Sequence, residues 1–368
     1  MKKMICTVIS MACSLGMYAQ TDSTLKNETI TGILPKVTLS GYADIYYAYD
    51  FANPGSHERP SFLYNHNRHN EVNLNLGYIK VAYATERTRA NLALMAGTYA
   101  QYNLAAEQGL LKNVLEANAG FKLLKNRNLW LEAGVFSSPI GFESAVSKDC
   151  WTLTRSIVAE NSPYYLSGGK ITYTTKNDKW LLSAMYVNGW QRIQRVPGNN
   201  TPNFVTQVMF KPSSKLTLNY STFIGNDKPD TSKQMRYYNN LYAIWQPTSK
   251  LGLILGFDYG LEQKSKGSSE YNQWYVPTAI LRFTPIDKFA VAARAEYYDD
   301  ERGVIITTGT PSGFKTMGYS LNLDYKPDNN LLLRIEGRIF DSKDKIFTEG
   351  TTPVNQNYFI VTSIAVSI

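Results

Sequence analysis

Cysteine is almost missing from this sequence: Cys6 and Cys13 fall within residues 1–19, and Cys150 stands alone in the remainder. A disulfide framework is therefore excluded, and a chain of this length does not need one. Past residue 19 no uninterrupted apolar run reaches the ~18 residues that a membrane-spanning helix requires, so that class is excluded too. Charge is scarce: Asp, Glu, Lys and Arg make up 18 % of residues, against roughly 25 % in ordinary soluble domains. The charges are interspersed, and no Lys/Arg run points to nucleic acid. Histidine occurs only as His57, His66 and His69, all in one polar stretch, and no G-x-S-x-G is present. A hydrolase base on a rigid element is thereby disfavoured, no catalytic residue is assigned, and the chain is read as a non-enzyme.

What is present begins with a leader. Lys2 and Lys3 precede the apolar "MICTVISMACSLGM", and "YAQ" follows. This is the charged start, apolar middle and short end of a secretory signal peptide. It is expected to occupy 1–19, followed by a short periplasmic segment at 20–35. Losing two lysines takes the formal charge of +8 to about +6.

The exported part alternates. In "KVTLSGYADIYYAYDF", Val37, Leu39, Ala43, Ile45, Tyr47, Tyr49 and Phe51 share one parity, while Thr38, Ser40, Asp44 and Asp50 share the other. Period two is held here well beyond the usual five or six residues of a soluble strand, as a tilted strand crossing a bilayer requires. "LLLRIEGRIF" sets Leu331, Leu333, Ile335 and Ile339 against Arg334, Glu336 and Arg338, and "YFIVTSIAVSI" continues the pattern to Ile368. Charge on the second parity is costly in lipid, so that face is expected to be wet.

Connections alternate in length. Short ones are "TERT" at 85–88, "LKNRN", "TKNDK", "KPSSK", "QPTSK", "TPIDK" and "KPDNN"; long polar segments lie between them, at 52–69, 103–113, 137–168, 190–203, 225–236, 261–270, 299–314 and 341–356. Proline at 212, 247, 285 and 327 suits tight turns, since it presets φ and its missing donor is not needed there. The expectation is all-β: a transmembrane antiparallel up-and-down barrel over 36–368, with about 16 strands, short periplasmic turns and long outer loops. Closure is required because an open edge leaves unpaired amides in hydrocarbon. A propeller would use strands of about five residues with cores on both faces.

On "LSGYADIYYAYDF", "NLNLGYIKVAY", "GVFSSPIGFES", "YYLSGGKITYT" and the P-x-x-K turns, the mature chain resembles the OmpL-like β-barrel porins of the bacterial outer membrane. It departs from such barrels in ending on Ile368 rather than an aromatic residue. The resemblance implies that the longest loop, 137–168, folds into the channel, where Lys148, Asp149, Arg155 and Glu160 would oppose the wall. Parity adds Asp44, Glu132, Lys170, Arg282, Arg294, Glu296, Arg334, Glu336 and Arg338 as candidates for the pore lining or its constriction.

A His-x-x-His pair in a loop is a poor metal scaffold, so neither metal nor cofactor is expected. The leading reading is an outer-membrane porin passing small hydrophilic solutes or ions by diffusion, anion-preferring through Arg155, Arg334 and Arg338. Its expected partners are outer-membrane lipid, the solutes and further copies of the chain in a homo-oligomer. The alternative is a barrel with an occluded lumen, acting as a specific transporter or surface-binding protein.

Overall fold

The computed structural model describes residues 36–368; the expected signal segment 1–19 and the segment 20–35 lie outside them. The first barrel strands are β1 (Val37–Asp50), β2 (Val72–Ala84), β3 (Thr88–Ala96), β4 (Val114–Lys122) and β5 (Asn128–Ser137). They are followed by β6 (Tyr165–Thr174), β7 (Trp180–Val187), β8 (Asn203–Ser213), β9 (Leu216–Asn226) and β10 (Met235–Trp245). Next come β11 (Leu251–Gln263), β12 (Tyr271–Ile286), β13 (Phe289–Asp300), β14 (Phe314–Tyr325) and β15 (Leu331–Ser342). A two-stranded hairpin, β16 (Phe347–Glu349) and β17 (Thr352–Val354), sits in the last long loop before β18 (Gln356–Ser367).

Sixteen of these strands close into one barrel in which each pairs with the barrel strands before and after it in sequence, β15 pairing with β18 past the β16–β17 hairpin, and β1 meets β18 at the seam. Every short turn named above joins a hairpin, and every long segment lies at the other rim. Pro247 and Pro327 occupy turns proper. Pro212 and Pro285 instead lie inside strand ends where the register shifts, between Phe210 and Ser213 and between Phe283 and Ile286. A bulge leaves one residue out of the ladder, so the missing amide donor costs nothing there.

Parity holds around the wall. Leu92, Leu94, Leu241, Leu255, Leu281, Leu321, Ile335 and Ile364 all point outward and are exposed. A belt of this size is an aggregation hazard in water and a lipid contact in a bilayer. Aromatic rings border it. At the short-turn rim Trp180 stacks on Phe210 at 4.1 Å and Phe289 leans on Tyr325 at 5.4 Å. At the loop rim Tyr186 meets Phe204 and Tyr237 meets Tyr271. Such girdles sit at the two membrane interfaces.

Candidate functional site: the barrel interior

An irregular segment inside a barrel carries amides and carbonyls that must be satisfied by side chains, because no ladder is available to it. Residues 138–164, between β5 and β6, are such a segment. They cross the lumen to the far wall. Asn240 on β10 accepts from the Gly141 amide at 3.0 Å, and Ser221 on β9 donates to the Pro139 carbonyl at 2.9 Å. Asn322 on β14 accepts from Leu153 N at 3.0 Å, Glu336 on β15 from Thr154 N at 2.6 Å, and Glu296 on β13 from Ile157 N at 2.6 Å. In the other direction Arg334 donates to the carbonyls of Ser147 (2.7 Å) and Cys150 (3.1 Å), Arg294 to that of Thr154 (2.8 Å) and Arg338 to that of Arg155 (2.7 Å). The wall makes room for the loop's rings. A Cβ on Gly252 or Gly256 of β11 would stand 2.5 Å from Trp151 or Phe142, respectively.

The wall side chains that hold the loop also hold one another. Arg294 pairs with Glu336 at 2.8 Å and Glu296 at 3.3 Å, Arg338 pairs with Glu296, and Arg334 pairs with Asp324 at 2.7 Å. Glu143 of the loop lies 3.7 Å from Arg294 and accepts from Ser156 N at 2.9 Å. Arg155 turns back on its own loop, binding the carbonyls of Ser144 (2.6 Å), Ala145 (2.9 Å) and Leu153 (2.6 Å). Four guanidinium groups (Arg155, Arg294, Arg334, Arg338) thus face four carboxylates (Glu143, Glu296, Asp324, Glu336), so the cluster is close to neutral. Arg155, Arg294, Glu296, Arg334, Glu336 and Arg338 are all buried. The inward face of β13–β15, expected to be wet from its charge, is dry because the loop covers it.

Two further candidates tie the interior to the first outer loop. Asp44 binds His66 Nε2 at 2.9 Å and Asn75 Nδ2 at 3.2 Å. Glu160 closes the short helix α1 (Ile157–Glu160), which Ser156 caps, and accepts from Tyr64 N, Asn65 N and Asn65 Nδ2 at 2.9–3.1 Å. Burial pushes its carboxyl up to about 7 despite these donors. His69 accepts from the Asp50 amide, and His57 meets the His69 carbonyl at 3.1 Å.

The remaining candidates lie outside this network, and of them only Glu132 is buried. Lys148 and Asp149 are exposed at the loop's tip, with the Lys148 ammonium 5.9 Å from the Tyr42 ring. Arg282 is half-buried, its guanidinium 5.9 Å from the Trp151 ring. Glu132 takes Arg89 at 2.6 Å and Lys170 at 3.3 Å. Arg89 also lies over the Trp130 ring at 4.2 Å. Arg89, Trp130, Glu132 and Lys170 line a cavity of about 380 Å³ together with Thr172 and Gln207. A second cavity of about 240 Å³, beside the loop's first turn, shares Ser137 and Ser138 with it. Sequence reading missed Arg89 and Trp130, although the alternation of "TRANLALMA" and "NLWLEA" places both on the inward parity.

Comparison with known proteins gives the family and the fold. The family model described as "Putative beta-barrel porin-2, OmpL-like" matches residues 36–368. Among solved structures, OmpT of Vibrio cholerae superposes with a TM-score of 0.59 at 10 % identity, covering 90 % of this chain and 97 % of that one. The anion-selective porin of Comamonas acidovorans gives 0.60 at 9 % identity, covering 90 % and 99 %. The channel DcaP of Acinetobacter baumannii gives 0.59 at 9 %, covering 90 % and 97 %. No curated protein matches by sequence. With the closed barrel, its lipid belt and a match across every described residue, the chain belongs to the OmpL-like β-barrel porin-2 family and is a porin-type barrel of the bacterial outer membrane.

Proposed function

We propose that the protein is a passive pore for small hydrophilic solutes, with the path running along β2–β8 rather than through the centre of the barrel. The observation that carries this reading is the cavity of about 380 Å³ lined by Arg89, Glu132 and Lys170 together with Trp130. Inward positions on β2–β6 hold Lys80, Arg89, Lys122 and Lys170 against Glu116 and Glu132. This surplus of cations in a low-dielectric wall favours anions. The preference thus rests on a different set from Arg334 and Arg338, which pair with Asp324 and Glu296, and from Arg155, which is held by carbonyls of its own loop. The structural neighbour from Comamonas acidovorans is itself described as anion-selective. Homo-oligomerisation is part of the proposal, since one solved form of Vibrio cholerae OmpT is described as a trimer.

The second reading, an occluded barrel, is favoured by the dense bonding of the inner loop. Single-channel recording in a planar bilayer separates the two. Steady conductance steps with a reversal potential toward the anion in a salt gradient support the pore; the absence of steps from heat-modifiable, folded protein refutes it.

A further inference from the structure

A third pocket, of about 380 Å³, opens among the outer loops, apart from the two inner cavities. One side is apolar: Phe62 of the first loop, Ile306, Phe314 at the start of β14, and Ile346 and Phe347 of the last loop. The other side carries Asp50, Arg59 and Asn357. Such a volume lies at the small end of the roughly 300–1,000 Å³ range of ligand pockets.

The polar side is only partly satisfied. Arg59 is 4 % exposed, rests on the Phe359 ring at 3.7 Å, and donates Nη1 to the His66 carbonyl at 2.7 Å. Its Nε and Nη2 have no partner among the described residues, and no carboxylate forms an ion pair with it. Burial lowers its pKa only to about 10, so it is a cation at neutral pH. Asp50 Oδ1 accepts from Ala52 N at 3.0 Å and Asn357 Nδ2 at 2.8 Å, while Asp50 Oδ2 and Asn357 Oδ1 stay unpartnered. Glu58 also lines the pocket but is already engaged by Arg68 and by Tyr102 Oη. A buried guanidinium with two unbonded nitrogens calls for an acceptor, and a buried carboxylate with a free oxygen calls for a donor. Both stand in one pocket beside a wall of rings.

We propose that this outer pocket binds a free α-amino acid with an apolar side chain. Its carboxylate meets Arg59, its ammonium meets Asp50 and Asn357, and its side chain lies against Phe62, Phe314 and Phe347. Water can meet the polar atoms without filling the apolar wall, whereas a zwitterion with an apolar side chain meets both.

Titration calorimetry on the folded protein in detergent tests this with four probes: phenylalanine, phenethylamine (no carboxylate), 3-phenylpropanoate (no ammonium) and glycine (no side chain). Phenylalanine is expected to bind at least about tenfold tighter than each of the others, as a lost charged hydrogen bond implies. Arg59→Gln should abolish its advantage over phenethylamine, and Asp50→Asn its advantage over 3-phenylpropanoate. If one variant fails to fold, the other and the probe series still decide. No binding of phenylalanine at a few millimolar, with water alone meeting these atoms, overturns the proposal. So does equal binding of phenethylamine or of 3-phenylpropanoate.

Discussion

The two halves of the barrel interior share one alternating pattern and use it differently. On the side of β9–β15, inward positions are glycines that admit the loop's rings and charges that hold its backbone, and almost nothing polar there meets solvent. On the side of β2–β8 the strands are shorter, with 9 residues in β3 and β4 against 13 in β11 and 16 in β12. There the inward charges border open cavities. An inward charge in a barrel therefore says little about the channel's potential until its partner is known. Arg294 and Arg89 have the same parity signal, yet one is a structural anchor and the other lines the cavity.

Breaking the packed half should have the largest effect. Glu336→Ala takes from Arg294 the shortest of its three carboxylate contacts and leaves Thr154 N without an acceptor, and removing one partner of a buried pair typically costs about 3–5 kcal/mol. Loss of stability in denaturant titration, with larger and noisier conductance steps as the inner loop undocks, is the expected outcome. Gly256→Ala attacks the same half by volume. Its Cβ would meet Phe142 at 2.5 Å, for an expected cost of about 1–3 kcal/mol from overpacking. Gly337→Ala, on the lipid-facing side of β15 with nothing within 4 Å, should leave the midpoint unchanged and serves as the control.

The open half should respond in selectivity rather than stability. Arg89→Gln with Lys170→Gln should shift the reversal potential toward cations, at a smaller stability cost than Glu336→Ala because glutamine can still donate to the buried Glu132. An unchanged reversal potential would show that the path lies elsewhere. The smallest effect concerns the latch between the first and inner loops. Glu160 rises from 4.5 to about 7 on burial, so the docked state binds its proton more tightly than the undocked one. Docking is then fully supported below pH ~4.5 and weakens as pH rises through ~7. Amide exchange at Tyr64 and Asn65 should be faster at pH 8 than at pH 5 once intrinsic rates are removed, and Glu160→Gln should flatten that dependence.

The barrel was legible because its signal is local. Val37 to Phe51 alternate within one strand, and the turn "KPSSK" announces itself in five residues. That the longest loop, 137–168, enters the lumen came from the family resemblance rather than from a pattern of its own. The identity of the solvent-facing charges was not legible, because their partners are remote. Arg294 meets Glu336 across 42 residues, and Thr154 meets Glu336 across 182. No periodicity reports such distances. Glu143 stood in a noticed motif, "SPIGFE", and Asp324 alternates with Asn322 in "NLDY", but neither pattern tells a pairing carboxylate from a free one.

The seam between β1 and β18 has a kinetic meaning. Every other pairing in the wall joins strands adjacent in the barrel's own sequence order, whereas Tyr42 pairs with Ser367 and Asp50 with Phe359. Hairpins can therefore accumulate quickly, while closure must await a contact spanning more than three hundred residues, the kind that slows folding most. Until it forms, β1 and β18 are two bare edges in hydrocarbon, each seeking a partner. Substitutions at this joint should therefore change how fast the barrel assembles more than how firmly the finished barrel holds.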